Sequence, residues 1–193
     1  MRKNLIKSTF RGVAILCVLP IVLCHWFTSL ITDADISLES HSQLLSLAPG
    51  KIGNYLRVGF YRLTLEQCDP TATICFGTLF SKAGARIGRN VYIGPRCILG
   101  LVTLEDDVLL GPCVQIPSGP NTHSFDLTNV PIRMQPGTPK RITVGQDSWI
   151  GCNAILLKNI AEQTIVGAGS VVTKGFPSRT VIAGSPARQV SKR

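Results

Sequence analysis

The sequence has no C-x-x-C pair among its seven cysteines, and seven is an odd count. That argues against a disulfide framework and a zinc ribbon, and fits a reducing compartment. Acids are scarce: eleven Asp and Glu stand against twenty Lys and Arg, a net charge of +9. Four of the basic residues, Arg2, Lys3, Lys7 and Arg11, precede the first acid, so the remaining excess is spread thinly. A surplus that diffuse leans towards anionic ligands or a membrane surface and makes no case for nucleic acid. Uninterrupted helix-forming sequence is also short, because eighteen Gly and twelve Pro make up about 15% of the chain, poor material for a helical bundle. What is present is enough apolar sequence, 45% of 193 residues, for one packed domain plus an appendage, which excludes a disordered chain.

The appendage is N-terminal. Residues 12–31, GVAILCVLPIVLCHWFTSLI, carry no formal charge. As a helix they would cover roughly 30 Å, the hydrocarbon thickness of a bilayer. The basic flank before them belongs on the cytoplasmic side. No A-x-A-like site follows, which argues against a cleaved signal peptide. Pro20 in mid-run removes a helical hydrogen bond, so a kink or re-entrant turn is expected there. Beyond it, Ile52, Leu56, Phe60 and Leu63 recur at helical spacing beside Lys51, Arg57 and Arg62. That pattern fits either a basic amphipathic helix on an anionic leaflet or a helix packed on the next domain.

From residue 87 the period changes. Aliphatic residues return every six positions: Ile87, Ile93, Leu99; Leu104, Leu110, Ile116; Val144, Ile150, Leu156; Ile160, Val166, Val172, with a fainter start at Ile74 and Phe80. Gly follows seven of these twelve main positions, where its share of the chain would place about one. Small or β-branched residues favour the fourth position after the aliphatic, as at Val91, Cys97, Thr103, Val108, Val114, Ser148, Ala154, Thr164 and Ser170. Period six matches neither a simple strand nor a helix. It matches a three-sided prism of short strands, with the aliphatic side chain pointing into the shaft and Gly relieving the corner, through a positive φ or crowded backbones.

This repeat resembles that of the hexapeptide acyltransferase family, whose fold is a left-handed parallel β-helix. The expected architecture is therefore all-β: a membrane-associated helical region over residues 1–73 and a left-handed β-helix over 74–193. Twenty-seven residues, 117–143, interrupt the repeat, with five Pro and the segment N-T-H-S-F-D, whose His123 is the one His in the repeat region. A hydroxyl nucleophile attacking a thioester needs a base that titrates near neutrality, and imidazole is one. In the O-acetyltransferases of the family, such a loop His is the general base and the site lies between subunits of a homotrimer. The resemblance thus implies His123 as catalytic base and acetyl-CoA as acyl donor, with no metal; one His in the repeats excludes the three-His zinc site that other proteins of this fold carry.

Three further segments are similar to family motifs. D-S-W-I-G at 147–151 resumes the coils, and the resemblance implies that the following Cys152 meets the pantetheine arm, although relatives usually have Ser, Ala or Gly there. V-G-A-G-S-V-V-T-K at 166–174 implies Ala168, Gly169, Thr173 and Lys174 in cofactor binding, with Gly167 and Gly169 equally explicable by coil geometry. A-G-S-P-A-R at 183–188 implies Arg188 at the nucleotide end, where Lys174 and Arg188 can meet phosphates. Trp149 either lines the acceptor site or seals a coil face. Asp126 either steers the imidazole or is an exposed carboxylate. The step from Leu156 to Ile160 is two residues short of six, so that turn should cut its corner.

With P-G-K-I-G-N-Y-L-R and F-Y-R-L-T-L, the chain resembles acetyltransferases of exopolysaccharide and colanic-acid biosynthesis. The implied function is O-acetylation of a saccharide, such as a lipid-linked glycan, at the inner (cytoplasmic) membrane with the β-helix facing the cytoplasm. N-acetylation of an amino-sugar nucleotide, or a non-catalytic structural β-helix, are the alternatives. A single full span would export the repeats away from coenzyme A, so the apolar run is expected to re-enter at Pro20 or to pair with a second membrane-seated helix.

Overall fold

The computed structural model describes residues 2–193, with side chains from Lys7 onward; the side chains of Arg2 and Lys3 in the basic flank lie outside the described residues. Three helices lead into a three-faced parallel β-helix of about six turns.

The first helix, α1 (Arg2–Ser29), takes in nearly the whole apolar run without a break. The re-entrant turn expected at Pro20 is absent. Pro20 and Leu16, whose carbonyl loses its partner to the missing Pro20 N–H, are both on the exposed side of the helix, where nothing forces the chain to fold back. α2 (Ala34–Ser46), which the repeat analysis does not foresee, starts at an Asp33 cap whose side chain accepts from the Asp35 N–H at 2.8 Å. α3 (Gly50–Thr64) is the helix expected from the 52–63 periodicity. Its Phe60 is fully buried and so is Arg57, which donates from Nε to the Ile74 carbonyl (2.9 Å) and from Nη1 to the Ala48 carbonyl (2.6 Å). Arg57 therefore ties the helix to its neighbours instead of facing a leaflet, so the packed-helix reading holds for it.

Two-residue strands alternate around the prism. The first face stacks Gln67–Cys68, Arg86–Ile87, Val102–Leu104 and Ile142–Val144; the second runs from Thr73–Ile74 through Trp149–Ile150 to Ile165–Val166 and Thr180–Gly184; the third runs from Leu79–Phe80 to Val171–Val172. All these pairings are parallel and in register, so Ile74, Ile93, Leu110, Ile150, Val166 and Ile182 form one inward column. Every one of the twelve main aliphatic positions is buried. Each coil covers its apolar edge only with the next, which makes stability a property of the stack. Helices α2 and α3 close one end, with Tyr61 against Phe80 at 4.6 Å and Ser42 Oγ bonding both the Tyr61 hydroxyl and the Phe80 N–H. An antiparallel hairpin, Thr180–Gly184 with Ala187–Lys192, closes the other.

Two details correct the repeat analysis and a third bears it out. The repeat glycines are needed for crowding and not for a positive φ. A Cβ on Gly94 would lie 2.7 Å from the Gly111 carbonyl carbon, and one on Gly151 2.5 Å from the Ala168 nitrogen. The left-handed backbone falls three residues after the aliphatic instead, at Asn90, Arg96, Asp107, Cys113, Asp147, Asn153 and Gln163. Thr103 is half-exposed; the five-residue step from Leu99 to Leu104 puts Val102 inward in its place. The shortened Leu156–Ile160 turn does cut its corner: Ile160 makes only a single bridge to Val144, and the Asn159 side chain accepts from the Thr143 N–H.

Candidate active site

The loop leaves the third face after Ile116 and returns to the first at Ile142. It is a folded arm. Lys140 N–H donates to the Ser118 carbonyl (2.7 Å), Thr138 to Asn121 (2.8 Å) and Ser124 to Pro136 (3.2 Å), so the two limbs run side by side. Gln135, 4% exposed in an otherwise solvated segment, fastens the tip by bonding the Leu127 N–H and the Leu127 and Val130 carbonyls. At the base, Arg141 donates to the Gly84 carbonyl (2.6 Å) and to Glu66 (2.8 Å). Hydrogen bonds from Arg86 and Arg141 hold the Glu66 carboxyl below its ordinary range. Gln135, Arg141 and Glu66 carry no repeat or motif signal, so only the folded loop shows their part.

His123 lies on the outward limb, exposed, and lines a cavity of about 290 Å³ with Asn121, Ser124, Asp126, Gly137 and Thr138. A Cβ on Gly137 would run into the Thr122 carbonyl, and it would lie 2.8 Å from the His123 nitrogen. Gly at 137 therefore lets the returning limb press on the backbone that carries the imidazole. Asp126 accepts from Ser124 Oγ at 2.9 Å, and among the described residues no hydrogen bond joins it to His123.

The expected carrier-binding residues lie elsewhere on the prism. Cys152, Ala168 and Gly169 come together at the corner between the second and third faces, where Gly169 N–H donates to the Cys152 carbonyl (2.8 Å). All three are exposed, and space around Gly169 is open, with no atom within 4 Å of an added Cβ. Thr173 and Lys174 are exposed at the loop's own corner, further along the stack, with the Lys174 ammonium 5.4 Å above the Phe176 ring. Arg188 is exposed on the closing hairpin. Neither Lys174 nor Arg188 forms an ion pair among the described residues. Trp149 projects outward on the second face, in register with Leu109 and Ile165. None of these residues lines the His123 cavity, so on one chain the imidazole and the open corner lie apart. The buried Cys97, its thiol pushed up to about 12 by burial, belongs to neither place. The described residues contain no cluster of His, Cys, Asp or Glu that could hold a metal ion.

The chain is thus a β-helix with a folded arm at one corner and an open, small-residue corner at another. Comparisons with known proteins find relatives of the same fold. Over 110 residues the chain is 33% identical to the galactoside O-acetyltransferase of Escherichia coli K12, covering 54% of this chain and 51% of the relative. Among solved structures it is similar to a maltose O-acetyltransferase from Clostridium difficile 630 (TM-score 0.67, 20% identity, 83% of this chain and 89% of that one). A second likeness is to AntD, an N-acyltransferase from Bacillus cereus crystallised with a dTDP-amino sugar and coenzyme A (TM-score 0.55, 17% identity, 63% and 70%). No family model matches the sequence. The chain spans about half the length of the relatives it matches by sequence. The relatives it matches are acetyltransferases of the hexapeptide-repeat kind.

Proposed function

We propose that the protein is an acetyl-CoA-dependent O-acetyltransferase that acetylates a saccharide hydroxyl, working as a homotrimer with each site shared by two subunits. The observation that carries this reading is His123 itself: a solvent-facing imidazole on a folded arm, in a cavity of mixed polar and apolar lining, with no internal partner among the described residues. The named activity of the Escherichia coli relative supports transfer to a sugar hydroxyl.

The open corner fits an extended thioester carrier. Cys152, Ala168 and Gly169 leave room for a pantetheine arm, Thr173 offers a hydroxyl, and Lys174 and Arg188 offer unpaired cations for phosphates. The carrier, when bound, supplies an activated acetyl group. His123 removes the proton of the acceptor hydroxyl as it attacks, and Asn121, Ser124 and Thr138 are placed to orient that hydroxyl. Two apolar surfaces support the trimer: the outward ladder Tyr92, Leu109 and Trp149 on the second face, and Phe125, Leu127, Ile132 and Met134 on the arm.

The helical region supplies a membrane seat. One side of α1, with Ala14, Val18, Val22 and His25, is buried against α2 and α3; the other presents Val13, Leu16, Leu23, Phe27 and Leu30 without a charge. Because α3 is tied to the first coil, α1 cannot cross a bilayer upright without drawing Asn54 and the first coil in with it. In this reading α1 lies in one leaflet, paired with its neighbouring helices, and the β-helix stays in the cytoplasm within reach of coenzyme A and of a glycan in surface polysaccharide synthesis.

Replacing His123 by Ala tests the assignment. Steady-state assays with acetyl-CoA and a glycan panel should show kcat lower by about 10²–10⁴ with the fold intact. Near-full activity would reject the base and favour an amine acceptor, which needs less help losing a proton.

A further inference from the structure

We propose that the seam between α1 and the first two coils binds a phosphate ester, presented by a lipid at the rim of the membrane seat. Lys7 and Arg11, four residues apart and so on one side of α1, line two adjoining cavities of about 110 and 360 Å³. Neither cavity is lined by a carboxylate, and neither cation forms an ion pair among the described residues. The Arg11 Nε–H is buried and has no hydrogen-bond partner among the described residues. A guanidinium N–H in that state costs free energy unless a ligand accepts from it.

The opposite wall is rigid and polar. Thr71 is fixed by its N–H bond to Asp69, and its hydroxyl oxygen accepts from the Asn90 N–H at 2.7 Å, at a left-handed corner of the coil. Tyr55 closes the smaller cavity and stacks on Phe10 of α1 at 5.9 Å. Two cations and a donor that lacks an acceptor, set against uncharged lining residues behind which the Asp69 and Asp107 carboxylates are taken up by Thr71 and Asn90, suit a tetrahedral oxyanion. The placement narrows its source: the uncharged run that forms the exposed face of α1 begins immediately after Arg11. A phosphate held here would therefore sit at headgroup level with its acyl or prenyl chain along that face. The anion site stands on the unpaired cations alone, whereas its lipid source rests on the membrane seat proposed above.

The test uses the full chain in neutral detergent, titrated with inorganic phosphate, and then with vesicles of phosphatidylcholine alone, with added phosphatidylglycerol, or with added polyprenyl phosphate. The wild type should bind phosphate saturably, and Arg11→Gln should weaken that binding about tenfold or more. Lys7→Gln, at an exposed position with little bearing on folding, should weaken it in the same direction and decides the matter if Arg11→Gln fails to fold. Arg11-dependent gain with both anionic lipids identifies a bulk headgroup; gain with polyprenyl phosphate alone identifies a glycan carrier; either supports the site. Phosphate binding without vesicle binding keeps the anion site and removes the seat. Equal binding of wild type and both variants to phosphate and to every vesicle overturns the site and leaves the seat standing.

Discussion

At the residue scale the candidate base depends on a glycine that no repeat marks. Gly137 allows the returning limb of the arm to lie against Thr122 and His123, closer than any side chain permits. Gly137→Ala should push His123 off its line to the acceptor and lower kcat by about 10²-fold, a loss typical of a displacement near 1 Å, while KM for acetyl-CoA stays put. A fall in neither parameter would show that the backbone contact does not position the imidazole. His123 was legible in the sequence because it is the one His among the repeats. Gln135, Arg141 and Gly137 were not, since an aperiodic loop gives no register from which to infer which polar side chain turns inward.

At the scale of the element, the six-residue period carried the architecture because each inward aliphatic must meet its equivalent one coil away, and a phase error would expose the whole column. The glycine beside it is the second half of that rule. Gly151→Ala should destabilise the stack by about 1–3 kcal/mol in chemical unfolding, because the new methyl would meet the Ala168 backbone nitrogen, which has no freedom to yield. Gly175→Ala, where nothing lies within 4 Å, should change stability by about 0.5 kcal/mol or less. Equal effects at the two positions would contradict the crowding account. Helices followed less well from the pattern. The Asp33 cap and the short α2 carry no strong period, and the pattern around Arg57 fitted a leaflet-facing or a packed helix equally until its carbonyl partners came into view.

At the scale of the whole molecule, the sequence placed a bilayer-length apolar run beside a domain whose proposed donor, coenzyme A, is cytoplasmic, and composition had no means to resolve that conflict. The packing offers a way: α1 is half-covered by helices that are themselves fastened to the first coil. Cys152 is exposed on the β-helix and reports the side on which it lies. In a chain retaining only that cysteine, a membrane-impermeant maleimide should leave intact cells unlabelled and label them after permeabilisation. Labelling of intact cells would place the coils outside and refute the proposed topology.

The chemistry turns on the proposed sharing of the site between subunits, because one chain keeps its imidazole and its open corner apart. Mixed assembly tests it most directly: His123→Ala protomers, lacking the base, are reassembled with Ala168→Trp protomers, whose exposed corner is blocked. Each parent alone should be nearly inactive, and the mixture should regain acetyl transfer from interfaces that join an intact His123 to an intact corner. A mixture as inactive as its parents, although mixed trimers are shown to form, would mean that base and carrier site belong to the same chain.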